Sequence, residues 1–470
     1  MNRRKFFQRG SLLAVGSSLL NPFGANATPS FLPKKSPKTA KNIIIVVSDG
    51  MSTGTLNMAD IHLSRKTGLN SNWIQLYQEN LVSRGLMDMA SASSIVTDSA
   101  AASSSWGSGE RIRNGSLNVS TKGEDLLPIW QKFKKAGKMA GCVTTVPITH
   151  ATPAGFCVSS KSRNSQEEIA EKYLEQRFDI MMGGGKGYFS ADSRADKKDL
   201  LEAYRQAGFE VLLSKADLNS AKLDKPVLGV FQNDALPYSL DRENNKELKE
   251  STPSLAEMTE KAIEKMKNHP KGFVLQVEAG KVDWAAHAND IGGLLYDQLA
   301  HDEALKVAID FAKKDGNTLV IATTDHGNAN PGLIYGSGVN ANFDTLNTFK
   351  HTNEWILNGI GEETSVSQVN DRVEYATGYQ LTKEEGQELL GYYSSLEIEE
   401  GVYNPRHLPF KLLSEIQQKR NSVGWISMDH SADYVEIAMY GPGSELLTPF
   451  IKNTDLHFLM LKAAEVENKF

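Results

Sequence analysis

Four short stretches hold most of the residues able to do chemistry. "VEAGKVDWAAH" carries Glu278, Asp283 and His287, "TTDHGN" the adjacent pair Asp325-His326, "SMDHSAD" the pair Asp429-His430, and "VSDGM" Asp49. Asp283 and His287 are four residues apart, one helical turn, so both can face one point. Carboxylate with imidazole suits Zn²⁺, and an all-oxygen set suits Mg²⁺. Each acidic residue alone has a plainer reading, since Asp and Glu often cap helices that follow strands. Gathered in one crevice they are too many negative charges unless something positive sits among them. A nucleophile is on offer in "SSIVTDSAAASSSWGSGE", with seven serines in eighteen residues and no basic residue. It reads either as a flexible linker or as a loop presenting one serine. Ser99 is distinguished by Asp98 before it and by Ala100-Ala101-Ala102 after it, the start of a helix whose N-terminus can take phosphate.

The elements that must position these residues follow an α/β pattern. "KNIIIVVSDGM" is an unbroken β-branched run, as expected of a strand buried on both faces of a parallel sheet. Four more apolar strands, "MAGCVTTV", "FDIMMGGGKGYF", "GFVLQVEAGKVD" and "NTLVIATTDHGN", each follow a helix-like segment. Helix then strand, repeated, predicts a three-layer sandwich: a central, mostly parallel sheet flanked by helices. In such sheets ligands bind outside the C-terminal strand ends, where Asp49, Glu278, Asp283, Asp325 and His326 fall. Residues 331–425 break the pattern with turn-rich and then charged helical segments, and read as a helical insertion over the site. "DYVEIAMYGPG" and a closing helix return to the sheet.

The 470 residues carry a net charge of -6, which argues against a nucleic-acid partner. Residues 1–27 read as a secretory signal: a charged start, a short apolar stretch from Leu12 to Leu20, and a small-x-small end at Ala25-Asn26-Ala27. Arg3-Arg4-Lys5-Phe6-Phe7 matches a twin-arginine signal, which implies the twin-arginine export machinery and a periplasmic or secreted product. No membrane anchor is expected. Residues 28–40 read as a linker and 41–470 as the catalytic domain. Cys142 and Cys157 sit in apolar strand-like contexts and read as buried free thiols. His62, His269, His301 and His407 read as surface residues rather than ligands. Gly183-Gly184-Gly185 reads as a turn, since it lacks the Lys-Ser/Thr ending of a phosphate loop. Asp429 is a candidate to orient His430.

The motifs "SDGM", "TDSAA", "HATPAG" with "SSKSR", "GGG", "VEAGKVDWAAH", "TTDHG" and "DHSADYVEI" occur in the order found in alkaline phosphatases, and the chain resembles that family from Lys41 to about Ala463. The resemblance implies an exported hydrolase of small phosphomonoesters with two Zn²⁺ and one Mg²⁺ per chain. By it, Asp283, His287 and His430 match the first zinc site, and Asp49, Asp325 and His326 the second. Asp49 is shared with a magnesium site that includes Thr152 and Glu278. Arg163 matches the phosphate clamp and Ser99 the nucleophile that forms a phosphoserine. The family is often dimeric, but no interface is readable in the sequence. A Zn²⁺ beside Ser99 Oγ would lower its pKa without a histidine base.

Three residues depart from the family's pattern. His150 stands where the best-known bacterial enzymes carry an Asp beside the magnesium, which makes it a neighbour of that site and leaves its metal open between Mg²⁺ and Zn²⁺. Trp284 stands where they carry a Lys and animal enzymes a His, so weaker phosphate product binding and faster release are expected. Asn328 replaces a His of the zinc periphery. A sulfatase would need a Cys/Ser-x-Pro-x-Arg signature, which Ser99-Ala100-Ala101 is not. A diesterase normally lacks the arginine that Arg163 supplies. A catalytically silent binding protein is opposed by an intact nucleophile with every ligand present.

Overall fold

The computed structural model describes residues 39–361, 363–394, 396, 398–399, 402–403 and 407–469. Ten strands make the central sheet: β1 (Asn42–Ser48), β2 (Ser83–Asp88), β3 (Met139–Pro147), β4 (Ile180–Gly184), β5 (Glu210–Leu212), β6 (Val227–Val230), β7 (Phe273–Ala279), β8 (Thr318–Thr323), β9 (Val435–Tyr440) and β10 (Phe450–Lys452). Their order is β10-β2-β9-β8-β1-β7-β3-β4-β6-β5. Every pairing is parallel except those of β9, which runs antiparallel to both β8 and β2.

The β-branched run in β1 explains the layers. All seven of its residues are buried. Ile43, Ile45 and Val47 enter one apolar core, Ile44 and Val46 the other, as the period-2 alternation of a strand requires. Ten helices bear on the argument: α1 (Thr53–Thr67), α2 (Ser99–Ser108), α3 (Ala151–Cys157), α4 (Lys281–His287), α5 (Ile291–Asp315), α6 (Asn353–Asn358), α7 (Val366–Thr377), α8 (Lys383–Tyr393), α9 (Phe410–Asn421) and α10 (Asn453–Ala463). α2, α3 and α10 cover the first core, and α1, α4 and α5 the second. The expected three-layer sandwich is the one observed. Helices α6 to α9 follow β8 and carry a small core of their own around Leu357, Val373, Leu389 and Leu413.

Register delivers the functional residues to one edge. Val47 of β1 pairs with Glu278 of β7 and with Thr323 of β8, and Thr144 of β3 pairs with Glu278. The residues that follow, Asp49, Asp283, Asp325 and His326, and Thr152 after β3, therefore leave the sheet on the same side. Because β9 is antiparallel, its beginning lies at that same edge. His430, five residues ahead of it, reaches the crevice and pairs with Asn328 in a two-residue ladder.

Cys142 and Cys157 are buried free thiols, as expected. Two histidines read as surface residues are instead core. His62 packs against Tyr296 and Phe343, and His301 against Trp73. Both lie on the apolar face of a helix, and an imidazole there is kept neutral by burial, which pushes each pKa down to about 4. Residues 1–27 and most of 28–40 lie outside the described residues. Ala40 is already buried, its N–H donating to the Ala463 carbonyl at 2.7 Å. No helix among the described residues is long and apolar enough to cross a membrane.

Candidate active site

Ser99 is the first residue of α2 and is buried. The N-cap is Asp98, whose Oδ1 accepts the Ala101 N–H at 2.9 Å. The serines behind Ser99 are structural. Ser103 Oγ donates to the Ser99 and Ala151 carbonyls at 2.7 and 3.0 Å, and Ser104 Oγ accepts the Asn118 N–H at 3.0 Å. They let α2 and α3 pack closely: a Cβ on Gly155 would lie 2.0 Å from Ser103 Oγ, and one on Gly107 2.0 Å from the Gly155 carbonyl. That contact sets Ser99 and Thr152 on adjoining helices. The run of small residues that resembled a linker is a helix–helix seam.

Ser99 Oγ lies 3.1 Å from His326 Nε2. His326 Nε2 is also 3.2 Å from Asp325 Oδ2 and 3.5 Å from Asp49 Oδ1. A second group forms beside it: His287 Nε2 is 3.5 Å from Asp283 Oδ2, His430 Nε2 is 3.6 Å from Asp283 Oδ1, and the two Nε2 atoms are 3.1 Å apart. Asp49, Glu278 and His150 make a third group, and Thr152 Oγ1 donates to Asp49 Oδ2 at 3.3 Å. The second group's Asp283 is fixed by Asn328, whose amide donates to its Oδ1 at 2.7 Å.

The donor chemistry fits bound cations. His287, His326 and His430 each turn Nδ1 to a backbone carbonyl, of Met428 at 2.6 Å, Gly327 at 3.3 Å and Thr97 at 2.9 Å. A carbonyl accepts only, so Nδ1 carries the proton and Nε2 presents a lone pair inward. Two lone pairs of His287 and His430 facing each other at 3.1 Å repel unless a cation lies between. Asp49 Oδ1, Glu278 Oε1 and Asp325 Oδ2 are buried with no hydrogen-bond partner. Burial, then the carboxylates Asp325, Asp283 and Glu278, drives the Asp49 carboxyl well above the ordinary range. Burial likewise pushes Glu278 up to about 7.

The family model for alkaline phosphatase matches residues 40–466. The chain belongs to the alkaline phosphatase family. It is 31% identical to alkaline phosphatase 4 of Bacillus subtilis, over 91% of this chain and 90% of that one. It is 32% identical to alkaline phosphatase of Escherichia coli, over 68% and 77%. Among solved structures it matches the alkaline phosphatase of Thermus thermophilus with a TM-score of 0.84 at 32% identity, over 92% of both chains. It is a phosphomonoester hydrolase of a metal-dependent family.

In this alkaline phosphatase, Asp49, Glu278, Asp283, His287, Asp325, His326 and His430 converge with Ser99 and Thr152. Arg163 Nη1 donates to Asp98 Oδ2 at 3.0 Å, beside the nucleophile in sequence, and its Nη2 faces His150 Nε2 at 3.2 Å. Trp284 stands edge-on to His150, ring centroids 6.2 Å apart. Asp429 does not orient His430; the Thr97 carbonyl does. Four contributors escaped sequence reasoning. Thr97 and Met428 act through backbone carbonyls, which leave no side-chain signal. Thr144 donates to Glu278 Oε2 at 2.5 Å. Gly50, in the left-handed region with φ 68°, donates its N–H to Asp325 Oδ1 at 3.0 Å. The "DG" of "SDGM" was its signal.

Proposed function

We propose that this chain is an exported zinc- and magnesium-dependent alkaline phosphatase that works through a phosphoserine on Ser99. The observation that carries the reading is Ser99 Oγ at 3.1 Å from an inward-facing imidazole nitrogen of His326, at a helix N-terminus, between clusters with unmatched carboxylates. Residues Asp283, His287 and His430 would hold one Zn²⁺, Asp49, Asp325 and His326 the other, and Asp49, Thr152 and Glu278 the Mg²⁺. When bound, these ions supply Lewis acidity: they lower the pKa of a hydroxyl or water and offset the charge of a departing alkoxide.

The chain's own residues do the rest. The Asp98 cap takes the Ala101 N–H and leaves the first amides of α2, those of Ser99 and Ala100, for phosphate oxygens. Arg163 offers two parallel N–H donors to two non-bridging oxygens, a match to the dianion of a monoester. Ser99 Oγ attacks phosphorus, the bond to the alcohol oxygen breaks, and the Ser99 proton is balanced by the one the alcohol gains. A water oxygen then attacks phosphorus, the Oγ–P bond breaks, and Ser99 is restored with inorganic phosphate released. Residues 1–27 serve as a twin-arginine-type signal, 28–40 as a linker and 41–470 as the catalytic domain, with the insertion over 331–425; the product is periplasmic or secreted. A homodimer fits the family's habit.

The test is turnover of a nitrophenyl monoester and its diester at alkaline pH, with and without a chelator. Monoester turnover that the chelator abolishes and zinc restores is expected, with ³²P trapped on the unmodified chain and not on Ser99→Ala. No monoester turnover with zinc restored would sink the reading.

A further inference from the structure

Lys281 opens α4, the helix that carries Asp283 and His287, yet its side chain is only 4% exposed. Its ammonium makes no hydrogen bond among the described residues. Nζ lies 3.5 Å from the ring centroid of Tyr238 and 4.7 Å from that of Trp284, and the nearest carboxylate oxygen it pairs with is Glu354 Oε2 at 4.0 Å. Lys281 and Trp284 are three residues apart on one helix, so they share a face. Glu354 is held in place from the core: Asp290 Oδ2 accepts the Asn353 N–H at 2.6 Å, and Asp241 Oδ1 the Thr352 N–H at 3.1 Å, fixing the start of α6.

Burying an ammonium is costly, and a Met or Leu would fill the same space without that penalty. Here the charge favours the ionised form of the buried Asp297 carboxyl and lies 4.7 Å from the indole centroid. The face of Trp284 turned to Lys281 is attracted to it. Its ring meets His150 at 76°, and His150 Nε2 faces Arg163 Nη2 at 3.2 Å. The contacts run without a gap from the buried cation to the guanidinium that meets phosphate.

We propose that Lys281 is a positioning residue for phosphate recognition: its ammonium, clamped between Tyr238 and Trp284, fixes the indole against His150 and so holds His150 and Arg163 in the orientation that receives the phosphate dianion. The inference rests on the proposed role of Arg163. It also gives Trp284 a part in phosphate binding that the loss of a basic side chain at that position hides.

The experiment compares Lys281→Met and Lys281→Arg in the zinc-loaded full chain. Lys281→Met is expected to raise both KM for a nitrophenyl monoester and the inhibition constant of inorganic phosphate by up to about thirtyfold, the scale of one desolvated cation–π contact. Its kcat stays within about twofold, because Ser99 and the carboxylates and imidazoles around it are untouched. Lys281→Arg restores both constants, and in a Trp284→Ala background Lys281→Met adds nothing further. Unchanged constants, an equal loss in the Trp284→Ala background, or an arginine variant that behaves like the methionine one would each overturn the proposal. If Lys281→Met does not fold, Lys281→Gln carries the same comparison. If neither folds while Lys281→Arg does, the ammonium serves folding and not positioning, and the proposal falls. Phosphate binding by calorimetry reads the same change without turnover, so the inference and the catalytic reading fail separately.

Discussion

Replacing Gly50 by Ala tests how tightly the backbone fixes the clustered carboxylates. Gly50 has φ 68°, and a Cβ there would lie 2.5 Å from Asp283 Oδ1, 2.9 Å from its Cα and 3.0 Å from its Cβ. The backbone conformation alone costs an alanine about 1 kcal/mol. The contact adds a second effect, because Asp283 must retreat by about 1 Å to reach ordinary separation, and it belongs to a buried helix start that cannot swing away. A misplacement of about 1 Å in a reacting constellation costs roughly a hundredfold in rate. Gly68 is the control: it also lies in the left-handed region, at φ 78°, but a Cβ added there would meet nothing within 4 Å. Gly68→Ala should lose about 1 kcal/mol of stability by denaturant titration with turnover and zinc content unchanged. Gly50→Ala should lose more stability than that, by about 1–3 kcal/mol for the overlap, and in addition about a hundredfold in kcat/KM for a nitrophenyl monoester, with lowered zinc content by mass spectrometry. Normal activity and zinc in Gly50→Ala, or an equal activity loss in Gly68→Ala, would refute the argument that Gly50 is required by the close passage of Asp283.

Arg163→Ala should lower kcat/KM for the monoester about 10- to 100-fold, the worth of a charge-assisted pair, and leave the slow diester rate nearly unchanged; an equal loss on both refutes the dianion clamp. Metal-free protein should lose stability as pH rises: Glu278 is raised to about 7 in the fold from 4.5, so its contribution is complete below the ordinary value and gone above the folded one. The melting-temperature gap between metal-loaded and chelated protein should therefore widen between those two pH values, and a constant gap counts against it. His150→Asp should lower the Mg²⁺ concentration for half-maximal activation about tenfold by adding an anionic oxygen to the third group, and an unchanged value shows that the residue at 150 lies out of reach.

The sheet's centre was legible because its strands are buried on both faces and read as unbroken apolar runs. β1, β3, β4, β7 and β8 were found that way, and β9 by its place after the insertion. The flank was not. β2, with "SRGLMD", is exposed or half-buried at every position but Met87, and β5 and β10 are three residues long, so neither hydrophobicity nor length marks them. The site was legible where side chains carry it: Asp325-His326 and the Asp283–His287 turn are statements about spacing. It was not legible where the backbone carries it, at Thr97, Met428 and Gly50. It also misled where a neighbouring acid looked like an orienter, since Asp429 stands next to His430 in sequence while the carbonyl that holds the ring comes from Thr97, 333 residues away.

The same hydrogen-bond accounting separates the histidines by role. A neutral imidazole has one proton and one lone pair to place. In His287, His326 and His430 the proton goes outward to a carbonyl, so the lone pair goes inward, the arrangement the proposed ligand role requires. His150 is arranged the other way. Burial, then Arg163, pushes its pKa down to about 3, so the ring is neutral across the working range. Its Nε2 faces a guanidinium N–H, which can only donate, so the lone pair is committed to Arg163 and the proton sits on a buried Nδ1 with no partner. An imidazole so arranged has nothing left to give a cation. The third group then offers the oxygens of Asp49, Glu278 and Thr152, a hard set that favours Mg²⁺.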